Sequence, residues 1–155
     1  MKKFIRYIIP ILCVMTGCSA QQTPPPTLGA KIIVWDKGKD TELKCSYDID
    51  QLKESLLTII EKSDDMLQLI VMDKRIKELK GKNYCLEVIF NTPLKAHIGG
   101  EEISFTNFFI PVNKDRDVHS IVFYLGDYKH YFTPPYVSSQ GKEDLLKLLE
   151  SLNMP

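Results

Sequence analysis

Three histidines, His97, His119 and His130, are the side chains of this sequence best suited to hold a metal ion. A shared ion would need one ring nitrogen from each of them at about 2 Å. If a hairpin turns at Gly126-Asp127, Phe123 pairs with His130, and His119 then lies about 13 Å away along the strand. The sequence therefore predicts no metal site.

Other catalytic patterns have no better support. No serine stands in a G-x-S-x-G motif, and Cys45 and Cys85 have no histidine close by in the sequence. The adjacent acids Asp64-Asp65 and Glu101-Glu102 point in different directions on a helix or a strand. No glycine pattern of the phosphate-binding type G-x-x-x-x-G-K is present. We therefore expect no cofactor, and we favour a non-enzymatic function.

His97 has a structural explanation in the same pattern. A hairpin that turns at Gly99-Gly100 pairs Ile98 with Glu101 and places His97 opposite Glu102. The polar side chains then share one face of the hairpin, and the apolar side chains share the other. We interpret His97 and Glu102 as a solvent-exposed cross-strand pair.

The first element that could position such residues is a helix over residues 49–62. Asp48 is a suitable N-cap, and Gln51 follows it at the capping-box spacing. This helix would bury a single apolar face. The residues of that face are Ile49, Leu52, Leu56, Ile59 and Ile60.

The apolar run over residues 66–72 fits a buried strand or a second buried helix, and periodicity alone does not separate the two. We favour the helix, because Asp73 can cap a further turn in which Ile76 and Leu79 face the same way.

A period-two pattern starts at Tyr84 and predicts a strand that ends at Asn91-Thr92-Pro93. Two hairpins follow, over residues 94–112 and 118–132, with the Gly-Gly and Gly-Asp turns already mentioned. Residues 32–35 form an earlier strand. A last helix after Gly141 carries Leu145, Leu148, Leu149 and Leu152. The sequence thus predicts an α+β fold, in which an antiparallel β-meander sheet is packed on one face by N-terminal and C-terminal helices.

The chain begins with the pattern of a secretory signal. Residues 1–6 are basic without acids, and residues 7–15 are apolar apart from Pro10. The apolar run is about half as long as the roughly 20 residues that cross a bilayer. We therefore predict that residues 1–17 are a signal peptide and not a transmembrane helix.

Met15-Thr16-Gly17-Cys18 resembles the lipobox of bacterial lipoproteins, which has an apolar residue, two small residues and then a cysteine. The resemblance covers these residues and the signal before them. It implies cleavage before Cys18, a diacylglyceryl group on the sulfur of Cys18 and an acylated new amino terminus. Ser19 follows the cysteine in place of an aspartate, so the resemblance favours the outer membrane over the inner membrane. Whether the protein faces the periplasm or the cell surface stays open.

Residues 18–30 form an uncharged tether with a Pro24-Pro25-Pro26 run, and residues 31–155 form one α+β domain. The whole chain has 20 basic and 20 acidic residues, so it lacks the basic excess that is typical of nucleic-acid binding. Cleavage removes Lys2, Lys3 and Arg6, which leaves a net charge of about −3. This charge does not indicate attraction to an anionic surface. We therefore expect membrane attachment through the lipid, and no nucleic-acid partner.

Cys45 and Cys85 are the cysteines that remain beside Cys18 after cleavage. A pair of cysteines in an exported domain favours a disulfide bond, which would join the segment before the first helix to the first strand of the meander. The alternative is two buried thiols.

Aromatic side chains concentrate between Phe123 and Tyr136. In the hairpin register used above, the face with Phe123, Tyr128, His130 and Phe132 belongs to the core, and the other face is exposed. We predict a partner-binding surface on the exposed face, because tyrosines suit recognition surfaces. It comprises Tyr124, Lys129, Tyr131 and Tyr136. The alternative is that one face packs under a helix and the other is a solvated aromatic ladder.

These inferences together predict a membrane-tethered lipoprotein of the bacterial cell envelope. Its domain would be a small non-catalytic binding module for a protein partner, of which an inhibitor or immunity-type protein is one form. The alternative is a small envelope hydrolase whose catalytic residues lie far apart in the sequence.

Overall fold

The structure is a computed structural model that describes residues 29–44, 48–71, 73–112, 120–132 and 134–154. It confirms the α+β fold class. The strands are β1 (Ala30–Asp36), β2 (Lys39–Glu42), β3 (Asp65–Met66), β4 (Tyr84–Ile98), β5 (Glu101–Val112), β6 (Ile121–Gly126) and β7 (Tyr136–Ser138). The helices are α1 (Ile49–Glu61), α2 (Asp73–Lys82) and α3 (Lys142–Ser151). The strands form a seven-stranded antiparallel sheet in the order β2-β1-β4-β5-β6-β7-β3.

The main core lies between one face of the sheet and helices α1 and α3. Alternation along β4 sends Leu86, Val88 and Phe90 into this core, and each of them is 0% exposed. The α1 prediction is confirmed, because Asp48 caps the helix by accepting hydrogen bonds from the backbone N–H groups of Asp50 and Gln51. The predicted leucine face of α3 is also buried. The two helices thus cover one face of the sheet as expected.

Helix α2 packs against the opposite face, which the sequence analysis had left uncovered. Its Ile76 forms a second, smaller core with Cys85, Phe109 and Tyr124. The sheet is therefore covered on both faces in its middle, and the odd-numbered residues at the start of β4 are interior residues as well.

The prediction of a helix over residues 66–72 is wrong. Asp65 and Met66 form the two-residue edge strand β3, and residues 67–71 have no regular secondary structure. The backbone N–H of Leu67 donates to the carbonyl oxygen of Pro135, which ties the chain to the edge of the sheet in an extended form. Met72 lies outside the described residues.

The predicted end of the strand at residues 91–93 is also wrong. Strand β4 continues through these residues to Ile98, and its register with β5 shifts between Ile89 and Leu94. Such an irregularity accommodates Pro93, which has no N–H to donate. The following hairpin is confirmed, since Ile98 pairs with Glu101 around Gly99 and Gly100. Both glycines have positive φ, at 60° and 89°, as a two-residue hairpin turn requires.

The second predicted hairpin has a different register. Gly126 pairs with Tyr131, and Asp127 closes the turn between them by donating its N–H to the carbonyl oxygen of His130. The carboxylate of Asp127 accepts from the N–H groups of Lys129 and His130, both at 2.8 Å. This local bonding lengthens the turn.

The rest of β6 pairs with β7, so that Phe123 lies opposite Tyr136 and not His130. Gly126 is needed at its position, because a Cβ there would collide with the carbonyl oxygen of His130 and the Cα of Tyr131.

Candidate functional site

A buried carboxylate, Glu87, lies under α2 in the middle of the sheet and is only 5% exposed. The ammonium group of Lys80 on α2 donates to both of its oxygens, at 2.7 and 2.8 Å. The indole N–H of Trp35 on β1 donates to Oε2 at 2.8 Å, and the Tyr131 hydroxyl donates to Oε1 at 2.5 Å. We call Trp35, Lys80, Glu87 and Tyr131 the Glu87 cluster.

Aromatic rings surround the cation of the Glu87 cluster. The Nζ of Lys80 lies 4.5 Å from the ring centroid of Trp35 and 5.6 Å from that of Phe109. Burial, and then the negative charge of Glu87, raise the pKa of the Tyr131 hydroxyl. Both oxygens of the Glu87 carboxylate accept hydrogen bonds from the protein itself. The arrangement suits the attachment of α2 to the sheet better than acid–base chemistry on a substrate.

Cys85 is a free thiol in the structure and is 0% exposed. Burial raises its pKa to about 12, with Lys80 opposing and Glu87 adding to the effect. The thiol is therefore protonated at neutral pH and unsuited to nucleophilic attack. Its predicted disulfide partner, Cys45, lies outside the described residues, so the bond stays a prediction.

The expected exposed tyrosine surface does not exist in the predicted form. Tyr124 is 5% exposed and lies in the small core under α2, while Tyr136 is 6% exposed and stacks on Phe123. Tyr131 reaches inward to the Glu87 cluster. Of the four predicted contact residues, only Lys129 is exposed. The reason is the changed register of β6 together with the packing of α2 on this face.

The predicted core face of that hairpin is wrong in part for the same reason. Phe123 is 0% exposed as expected, and Phe132 packs against the main core. Tyr128, however, is 60% exposed, and His130 has a side chain that is 70% exposed. The turn therefore presents an aromatic ring and an imidazole to solvent.

The exposed cross-strand pair is confirmed. His97 lies opposite Glu102, with Nε2 at 4.0 Å from Oε2, and Lys95 contacts the same carboxylate at 2.8 Å. The described parts of the chain contain no group of three or more His, Cys, Asp or Glu side chains that could hold a metal ion. His119 and Cys18 lie outside these parts. Among the described residues, no helix has the length and hydrophobicity needed to cross a bilayer.

An open depression next to α2 is the best candidate for a binding surface, and we call it the apolar groove. It has a volume of about 350 Å³. Its floor and walls come from residues 69–71, the exposed side of α2, the ring of Tyr124 and the loop before β7. The lining residues are Leu69, Ile70, Val71, Lys74, Arg75, Glu78, Tyr124 and Pro135.

Two aliphatic side chains that line the apolar groove, Leu69 and Ile70, and Met66 of the preceding strand are unusually exposed. Met66 is 51% exposed, Leu69 57% and Ile70 79%. The three lie within one stretch of the chain, residues 66–71, which we call the exposed apolar segment. Hydrophobic side chains clustered in this way mark a surface that contacts another molecule.

Charged residues of α2 form the rim of the groove. Arg75 pairs with Glu78 at 3.8 Å. Burial raises the pKa of the Tyr124 hydroxyl, and the charge of Arg75 opposes this rise. Lys74 of the rim is exposed, and so is Lys77 further along α2, outside the groove lining; neither makes an ion pair with any other described residue. The rim thus offers cations next to an apolar surface.

Sequence reasoning missed both the Glu87 cluster and the apolar groove. Glu87 alternates with the buried residues of β4, a position that is normally solvent-exposed when only one face of a sheet is covered. For the groove, the available signal was the lack of helical periodicity over residues 66–72. Nothing in that pattern indicated exposure.

No family model, no curated protein and no solved structure matches the chain, so the candidate site is interpreted from its own geometry.

Proposed function

We propose that the protein is a lipoprotein of the bacterial cell envelope, anchored through Cys18 to the outer membrane, whose folded domain acts by surface contact and not by catalysis. The anchoring part of the proposal is supported by the basic and apolar start of the chain and by the Met15-Thr16-Gly17-Cys18 sequence. Several acyl chains hold a protein on a membrane stably, whereas one chain binds reversibly.

One observation carries the contact function, and it is the exposed apolar segment beside the apolar groove. Ile70 is 79% exposed, whereas every other described isoleucine is buried or half-buried. Solvation of such side chains is unfavourable by about 25 cal/mol for each Å² of apolar surface. Contact with another molecule removes this surface from water, which is the usual reason for such a patch on a soluble domain.

The buried polar groups give little support to the alternative, a hydrolase. The Glu87 cluster is internally paired, and the Cys85 thiol has a raised pKa. A general acid or base has to reach a substrate, which a carboxylate that is 5% exposed and fully hydrogen-bonded cannot do without displacing α2.

The anchor is tested by metabolic labelling with an alkyne fatty acid. The wild-type protein should take up the label and fractionate with membranes, and Cys18→Ala should do neither. A Cys18→Ala protein that is processed and still retained on membranes contradicts the anchor.

The contact surface is tested in intact cells with a photo-crosslinking amino acid at Ile70. The matched control is the same amino acid at Leu146, which is 49% exposed on α3, on the other side of the sheet. We expect adducts, to protein or to lipid, from position 70 and few or none from position 146. Equal yields at the two positions, or none at either, contradict the proposed contact surface.

A further inference from the structure

The chemistry of the exposed apolar segment is aliphatic and not aromatic. Met66 lies at the end of β3, Leu69 and Ile70 lie in the irregular stretch that follows, and Gln68 is the single polar residue among residues 66–71. Tyr128 is 60% exposed and lies in the turn after β6. Aliphatic side chains bordered by a tyrosine are typical of protein surfaces that enter the boundary between headgroups and acyl chains.

A series of direct contacts places this surface at the end of the domain where the tether enters. The carbonyl oxygen of Gly29, the first described residue, accepts from the N–H of Asn91 at 3.0 Å. The carbonyl oxygen of Asn91 accepts from the Tyr128 hydroxyl at 2.7 Å. In the same turn, Nδ1 of His130 lies 3.8 Å from Oδ2 of Asp73. Asp73 is the first residue of α2 and comes shortly after the exposed apolar segment. The entry point, the tyrosine and the apolar segment therefore lie at the same end.

The reach of the tether is comparable with the size of the domain. From Cys18 to Gly29 the chain can span at most about 40 Å when fully extended. A domain of this length has a radius of gyration of about 14 Å, so its own diameter is close to that reach. The tether thus keeps the domain near the membrane at a high effective concentration, with the end that carries the tether nearest to the anchor.

The charges next to the segment favour an anionic surface. Lys74 and Lys77 are exposed and make no ion pair within the described ranges, and Lys129 is exposed in the neighbouring turn. Among the acids nearby, Asp73 faces His130 and Glu78 faces Arg75. Asp65 next to Met66 and Asp127 in the turn with Lys129 are exposed as well, so the excess of cations is confined to α2, in a mature chain with a net charge of about −3. Unpaired lysines beside aliphatic side chains match the headgroups and the acyl chains of an anionic bilayer.

We infer that the exposed apolar segment, with Tyr128 and the exposed lysines of α2, rests on the surface of an anionic phospholipid bilayer and holds the domain in one orientation there. This inference rests on the proposed lipid anchor and names the partner of the proposed contact surface. A protein bound at the same surface is the competing outcome.

The test uses the mature lipidated protein, reconstituted in vesicles of phosphatidylethanolamine and phosphatidylglycerol with brominated acyl chains. The sequence contains a single tryptophan, Trp35, so Ile70→Trp adds one local reporter, and Leu146→Trp is the matched control. We expect bromolipids to quench the added tryptophan of Ile70→Trp about twofold or more relative to that of Leu146→Trp. Equal quenching of the two added tryptophans, or none, overturns the inference.

A second variant tests the electrostatic part. In the Ile70→Trp protein, Lys74→Gln and Lys77→Gln should each lower the equilibrium constant for the contact about fivefold on anionic vesicles, as measured by quenching of the tryptophan at position 70. Neither substitution should have much effect on neutral phosphatidylcholine vesicles. An unchanged contact on anionic vesicles would remove the lysines from the proposal.

If position 70 is not quenched but its crosslinker in cells captures a protein, the contact surface stands and the bilayer inference fails. If the wild-type protein does not take up the fatty acid label, the anchor itself fails.

Discussion

Removal of the Lys80 ammonium group should destabilise the protein far more than removal of an equally close surface lysine. Lys80 and Glu87 are 2.7 Å apart, and their side chains are 18% and 6% exposed. The Lys80→Met change keeps most of the packing volume but leaves the Glu87 carboxylate buried with two neutral donors, Trp35 and Tyr131. Breaking a buried ion pair from one side costs about 3–5 kcal/mol.

The hairpin of β4 and β5 contains a matched control for this ion pair. Lys95 and Glu102 have the same spacing in sequence and lie 2.8 Å apart, but their side chains are 65% and 49% exposed. A surface pair of this kind contributes about 0–1 kcal/mol, so Lys95→Met should change the free energy of unfolding very little. The contrast between the two variants isolates burial, because the pairing distance is almost the same.

Urea unfolding followed by circular dichroism measures both variants. A total stability of about 5–15 kcal/mol is typical of such domains, so Lys80→Met should lower the transition midpoint strongly or unfold the protein. Adding Glu87→Leu to Lys80→Met should recover part of the loss, because it removes the unpaired charge. A loss below about 1 kcal/mol in Lys80→Met, or no recovery in the double variant, would refute the interpretation of the Glu87 cluster as the attachment of α2.

Three further outcomes are expected. Phe123→Ala should lower the free energy of unfolding by about 3–5 kcal/mol in the same urea assay, because the ring is 0% exposed and stacks on the rings of Phe108 and Tyr136. A loss under about 1 kcal/mol would contradict the place of Phe123 in the core. Asp48→Ala should cost about 0.5–2 kcal/mol through the lost cap of α1, and Asp48→Asn should restore most of it. The reduced protein should lose stability as pH rises above about 9 towards 12, because the pKa of Cys85 is higher in the folded state, and Cys85→Ala should flatten this slope. A wild-type slope that appears only after reduction would show that Cys85 is bonded to Cys45, and thiol labelling of the denatured, unreduced protein checks the same point.

Local signals in the sequence were sufficient for the elements whose partners are close along the chain. Helix α1 has its cap at Asp48 and one apolar face, and the hairpin at Gly99-Gly100 needs two adjacent residues with positive φ. In both, the bonds that define the element lie within a short stretch of residues. Their positions follow from spacing and backbone sterics.

The errors arose where distant segments decide the structure. The main partner of β6 is β7, and no local pattern indicates this pairing. The turn after β6 is held by the carboxylate of Asp127 and is longer than the two-residue turn that the sequence predicts. The side chain of Glu87 is buried because α2 crosses the second face of the sheet. Tyr124, the tyrosine of β6, packs against that helix for the same reason. The candidate groove could not be predicted, since the exposure of Ile70 depends on which faces the helices have already covered.

The lack of a side chain at Gly126 links a turn at one end of the molecule to the position of α2. Because no carbon stands between Gly126 and the backbone of residues 130 and 131, the two strands of the turn approach closely enough for Gly126 to bridge with Tyr131. That bridge fixes the backbone position of Tyr131, from which its hydroxyl reaches Glu87. A methyl group at position 126 would push the backbone of Tyr131 outward and lift its hydroxyl from the carboxylate that Lys80 also holds. The position of α2 therefore depends on a residue outside its ion pair, and Gly126 should be about as intolerant of substitution as Lys80.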